Sequence, residues 1–89
     1  MEHIRVDMPN GLLYVYGDVV TFSPDKSSSI NWVRWDNDHM SVEFTSSKGF
    51  FYLYKGVPFG YMKRLVESES VGSYFAKNIK PYFEFEKIG

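Results

Sequence analysis

Between Leu12 and Lys55 the chain is cut into short runs of β-branched and aromatic residues, each closed by a cluster of turn formers. That punctuation restricts the stretch to strands of ordinary length joined by tight connections. The clearest unit is Leu12-Leu13-Tyr14-Val15-Tyr16, then Gly17-Asp18, then Val19-Val20-Thr21-Phe22. Two such runs around Gly-Asp predict a hairpin with a type II′ or I′ turn. Its register pairs Tyr16 with Val19, Val15 with Val20, Tyr14 with Thr21 and Leu13 with Phe22. Leu13, Val15, Val20 and Phe22 then share an apolar face, and Tyr14, Tyr16, Val19 and Thr21 share the other.

The remaining segments follow from the same two periods. Residues 1–10 read as polar and end in the turn signal Pro9-Asn10-Gly11, and residues 23–29 read as a loop. Ile30 to Trp35 is expected to be a strand of mixed alternation, closed by Asp36-Asn37-Asp38-His39. Met40 to Thr45 alternates cleanly, with Met40, Val42 and Phe44 inward. Phe50 to Lys55 is apolar on both faces, so it is either central or binds something with one of them. Pro58 suits a helix start, and Phe59, Met62 and Val66 then form a stripe with Leu65 over residues 59–69. Ser70 is a candidate N-cap for a second helix over 71–80, with Val71, Phe75 and Ile79 buried and Pro81 as its stop. Tyr82 to Ile88 alternates again and is expected to be a last strand. The expected fold class is α+β. An N-terminal hairpin, a three-strand meander and a C-terminal strand make an antiparallel sheet, with two short helices on one face.

Composition narrows what such a fold can do. The chain has 89 residues, enough for one domain, and no cysteine, which excludes disulfides, thiolate metal sites and thiol catalysis. A domain of this size buries only about 60–65% of the surface its unfolded chain exposes. Aromatic residues, at 19%, are therefore needed for a core, and those on the second face of a strand are free to meet a partner. No run reaches the ~18 apolar residues of a membrane span, and the start lacks the pattern of a signal peptide. The expectation is a cytoplasmic protein without membrane contact. Charge is uneven beneath a net −1. Residues 1–45 hold three basic against seven acidic residues, and residues 46–83 hold six basic against two acidic. If those six converge, they make an anion-binding face; if not, they are ordinary solvated charge.

From Ser28 to Ile88 a set of short motifs runs in one order. They are Ser28 with Ile30, Trp35-Asp36, Val42-Glu43-Phe44, Tyr52-Leu53-Tyr54 and Val57-Pro58, then Ser70-Val71-Gly72-Ser73-Tyr74-Phe75 and Asn78-Ile79-Lys80. In order and spacing they resemble the KTSC domain, named for its occurrence at the C-terminus of some lysyl-tRNA synthetases. Trp35 stands where the family usually has Tyr. Residues 1–27 have no counterpart in the short domain and read as an added hairpin, leaving 28–89 as the KTSC-like part. The resemblance implies a small stand-alone module of bacteria and their phages, which places a phage-encoded chain in the host cytoplasm. It carries no established catalytic activity, and RNA binding is the role suggested by the synthetase fusion.

Several residues are candidates for that role, each with a structural alternative. Ser70, Gly72 and Ser73 would open a helix whose free N–H groups suit phosphate, with Tyr74, Lys77, Asn78 and Lys80 following. Capping and close packing explain the same pattern. Tyr52 and Tyr54 share a strand face and would stack bases if that face is open, with Lys55 and Lys48 bordering it. If it is closed they finish the core edge. Trp32 and Trp35 must point to opposite faces, and an exposed tryptophan, Trp35 being the candidate, would mark an interface. Asp36-Asn37-Asp38 lacks the Gly and Glu of a calcium loop; His39 sits by those acids but is a lone histidine in a turn, His3 is in a terminal tail, and no nucleophile-base pair appears. The expectation is a non-enzyme without cofactor or metal. It binds RNA or another single-stranded nucleic acid, or alternatively a protein, as a monomer or a homodimer. The N-terminal hairpin, with Tyr14 and Tyr16 on its second face, could extend the sheet or mediate dimerisation by edge pairing.

Overall fold

The computed structural model describes residues 3–27, 29–47 and 49–89. The hairpin has the expected register: Leu13 faces Phe22, Tyr14 faces Thr21, Val15 faces Val20 and Tyr16 faces Val19. Its strands are β2 (Gly11–Tyr16) and β3 (Val19–Pro24). Of the two turn residues only Gly17 takes a left-handed φ, 61°, which selects the type II′ form. An unexpected strand precedes it. β1 (His3–Met8) pairs along its whole length with β2 through the Pro9-Asn10 turn. Its alternation is Ile4, Val6 and Met8 against His3, Arg5 and Asp7, a period of two that its polar composition conceals.

β4 (Ile30–Asp36) and β5 (His39–Phe44) are joined by Asn37 and Asp38, both left-handed at φ 49° and 60°, the pattern of a type I′ turn. A register shift between Ile30 and Trp32 keeps Ile30 in the core while Trp32 turns to the opposite face. β6 (Phe51–Lys55) follows, then α1 (Phe59–Glu67), α2 (Val71–Asn78) and β7 (Phe85–Ile88). The seven strands lie in sequence order, every neighbouring pair antiparallel. Both helices cover the same face, and the buried residues of β3–β6 and of the helices form one core. Phe22, Val33, Val42, Leu65 and Ile79 are fully buried in it, so the N-terminal hairpin shares this core with the helices.

The helical segments are shorter than their periodicity predicts, for local reasons. α1 ends at Glu67 because Ser68 turns extended, with its hydroxyl and its N–H both bonded to the Leu65 carbonyl. After α2 the N–H groups of Tyr82 and Phe83 bond the Ile79 carbonyl, so these residues continue a turn and the strand starts only at Phe85. The β6-to-α1 junction is pinned by Trp35, whose indole N–H donates to the Val57 carbonyl at 2.8 Å and whose ring meets Phe59 edge-on. No helix among the described residues is long and apolar enough to cross a membrane.

Candidate binding cleft

The pairing of β5 with β6 decides which face of Phe51–Lys55 meets the helices. Met40 faces Tyr54 and Val42 faces Tyr52, so both tyrosines lie on the core side and Phe51 and Leu53 lie on the open side. Tyr54 is 2% exposed, between Phe75 at 5.1 Å and Phe85 at 5.3 Å. Burial raises its phenol pKa, and the neighbouring Tyr52 adds to that. An outward platform of Tyr52 and Tyr54 is therefore corrected. The alternation that joins them carries both to the core side, where Tyr54 lies against Phe75 of α2 and offers no ring face to solvent.

Tyr52 lies beyond the edge of the helical layer and is only half-buried. Its ring touches Phe44 at 5.5 Å, Phe50 at 5.7 Å and Phe85 at 5.4 Å. These rings line an open cleft of about 580 Å³, with Ser29, Ser46 and Ser47 along one wall and Lys80 at its margin. Ser47 is buried, its hydroxyl accepting from Phe44 N–H and donating to the Phe44 carbonyl, which fixes the turn leaving β5. Strand alternation on β7 completes the site. Tyr54 faces Phe85 and Tyr52 faces Lys87, so Phe85 and Lys87 point to the cleft side while Glu86 points away. Lys87 Nζ stands 4.2 Å from the Phe50 ring centroid. On the other face Glu86 is held by Lys55 at 2.6 Å, a bond that raises the lysine pKa and lowers the glutamate's. β7 thus sends Lys87 to the aromatic side and Glu86 to the reverse, where Lys55 neutralises it.

The other sequence candidates are dispersed. Ser70 is the N-cap of α2, accepting from Ser73 N–H at 3.3 Å. Gly72 packs against the Ser29 side chain, leaving no room for a β-carbon without movement there. A second cleft of about 410 Å³ opens beside them, but Asp25 and Glu69 line it together with Lys26. Tyr74 packs on the core, where burial raises its pKa against the opposing pull of Arg64. The Asn78 amide donates to the Tyr74 carbonyl, and Lys77 is solvent-exposed on α2. Lys55 is on the open face, so it does not border the tyrosines. Trp35 is held against the core, and Trp32 is the tryptophan of the open face. Ser28 and Lys48 lie outside the described residues. The five described basic residues of 46–83 therefore do not converge as a group: Lys55 is paired with Glu86, Lys63, Arg64 and Lys77 are exposed on the helices, and Lys80 is at the cleft.

Phe44, Phe50, Phe85 and Lys87 were missed as site residues. The signal for the last two was present, since Phe85 and Lys87 are two apart in an alternating run. The open sheet face was also missed as a unit. There Trp32 meets Phe51 at 5.6 Å and Arg34 stands 5.6 Å from the Trp32 ring, with Leu53 beside them. No group of three or more His, Asp or Glu that could hold a metal occurs among the described residues.

In comparison with known families, the model of the KTSC domain matches residues 26–83. That segment takes in β4–β6 and both helices, with β1–β3 before it and β7 after it. No curated protein matches the chain.

Proposed function

The chain belongs to the KTSC domain family, and from that premise we propose that it is a small non-catalytic module binding single-stranded RNA in the cleft of Tyr52. One observation carries this reading: the aromatic rings of Phe44, Phe50, Tyr52 and Phe85 share one recess with Lys80, and Lys87 Nζ stands over the Phe50 ring that borders it. Neither lysine is ion-paired with a described residue. Rings give stacking surface that every base can use, and lysines at the margin attract the phosphates between bases. The recess has the volume of an ordinary ligand site. RNA is abundant in the cytoplasm, where such a module would act.

Fluorescence anisotropy with labelled oligouridine tests the proposal. Two lysines meeting phosphates predict a slope of log affinity against log salt of about −1 to −2. Lys80→Ala combined with Lys87→Ala is expected to weaken binding by about tenfold or more. Absence of binding at low salt, or affinity indifferent to the double variant, overturns it.

A second reading is favoured by the open face, where Trp32, Phe51 and Leu53 lie uncovered by either helix. Half-buried aromatics with an arginine beside them are the composition of protein-binding hot spots. On this reading the module modulates a protein, such as a host protein if the chain is phage-encoded. Trp32→Ala would then abolish a stoichiometric complex and leave RNA affinity unchanged.

A further inference from the structure

Ile4 and Val6 are 49% and 39% exposed although they lie on the same sheet face as the core residues Val20 and Phe22. They belong to β1, the edge strand at the end of the sheet that the helices leave uncovered. The opposite edge, β7, has four residues, with Glu86 paired to Lys55. β1 has six, and its charges are of both signs: Arg5 and Asp7, two apart and 3.8 Å from each other, 65% and 83% exposed in their side chains and so free to exchange partners across an edge.

The geometry of β1 fixes how such an edge could pair. The two-residue turn at Pro9-Asn10 closes on Met8 opposite Gly11. A connection of that length closes on a hydrogen-bonded pair, and hydrogen-bonded pairs alternate with open ones. Met8, Val6 and Ile4 therefore direct their main-chain groups to β2, while Asp7, Arg5 and His3 direct theirs outward. A second β1 can bond only to those outward groups, so an antiparallel two-fold axis must pass through a residue and not between two, as at Arg5, Val6 or Asp7. Through Arg5 it sets arginine on arginine, and through Asp7 it sets aspartate on aspartate, both unfavourable. Through Val6 every cross-strand pair is matched. Arg5 faces the partner copy's aspartate and Asp7 its arginine, on the open face. Val6 meets its own symmetry mate, and Ile4 meets the partner copy's Met8, on the apolar face.

We infer that the chain forms a homodimer through β1, with the two-fold axis at Val6 and one sheet continuous across both copies. The occupant is a second copy because the sequence Ile4-Arg5-Val6-Asp7-Met8 is complementary to itself read backwards, in charge and in apolarity. A single-sign edge would repel its copy, as protected edges do; this one attracts it. The interface leaves the Tyr52 cleft, at the other side of the sheet, unobstructed.

Sedimentation velocity and disulfide trapping test this independently of any RNA binding. The wild type is expected at twice its 10.4 kDa mass. Val6→Lys, exposed and so without effect on the core, is expected to be monomeric with an unchanged circular dichroism spectrum. Arg5→Asp and Asp7→Arg should each raise the dimer dissociation constant by about tenfold or more, since each sets like charges opposite one another. The two changes together exchange the charges and should restore the dimer. The chain has no cysteine, so Val6→Cys offers one thiol per copy. An open pair has its α-carbons about 4.5 Å apart, within disulfide range. Mild oxidation should therefore cross-link Val6→Cys and not Ile4→Cys. A monomer at concentrations up to about 1 mM, where even weak association shows, overturns the inference. So does a dimer that survives Val6→Lys, or a double charge exchange no better than the single ones.

Discussion

Gly11 and Gly60 show how differently two glycines can be placed. A methyl group on Gly11 would press on the Ser23 carbonyl and stand 2.8 Å from both the Phe22 ring and Pro24 Cα. Two of those neighbours are backbone atoms of β3, which cannot move aside without breaking the β2–β3 ladder. Gly11→Ala is expected to cost about 1–3 kcal/mol, the usual range for forced overpacking. Gly60 sits on the exposed side of α1 with nothing within 4 Å of a β-carbon. Gly60→Ala should instead gain up to about 1 kcal/mol, because glycine is the poorer helix former. Urea unfolding of the two variants reads the contrast directly; midpoints shifted in the same direction would contradict it. In the sequence Gly11 reads only as the end of a turn signal. Its steric role depends on where Phe22 and Pro24 come to rest, which no local pattern records.

At the scale of elements, α2 provides the sharpest test of a candidate that changed meaning. Ser70 looked like a phosphate ligand or a cap, and its hydroxyl is engaged by Ser73 N–H. Ser70→Ala should lower stability by about 0.5–2 kcal/mol, as loss of a cap does. Its affinity for oligouridine at saturating folded protein should match wild type, because the Tyr52 cleft does not include Ser70. A large loss of affinity without a loss of stability would return Ser70 to the site. The cap was legible because a serine preceding a period of four is a local signal. The β2–β3 register was legible for the same kind of reason: a two-residue Gly-Asp connection fixes the pairing. The orientation of β6 was not legible. Phe51 and Leu53 are as apolar as Tyr52 and Tyr54, so alternation identified two faces without saying which one α2 would cover. That choice was made by the partner strand, where only Met40 and Val42 could be buried beside them. The cleft was hidden for a related reason. Its walls come from β5, β6, the end of α2 and β7, and the placement of Lys87 depends on a strand that begins three residues later than its alternation.

Across the whole molecule, the helical layer and the sheet meet over two phenols, and this gives stability a direction in pH. Tyr54 from β6 lies against Phe75 of α2, and Tyr74 from α2 packs on the same core near Arg64. Burial is the main cause raising both pKa values above the ordinary 10.0. The folded chain thus keeps protons that the unfolded chain releases near pH 10. Stability from this source is fully present below that value and is lost as pH rises through the folded pKa values. Chemical denaturation followed from about pH 8 to about pH 11 should show a stability that is level at first and then falls. Tyr54→Phe keeps the ring against Phe75 and Phe85 and removes the ionising group, so its alkaline decline should be shallower than that of the wild type. A parallel decline in the two proteins would mean that Tyr54 ionises in the fold as freely as in the open chain, and that the seal between α2 and the sheet admits water.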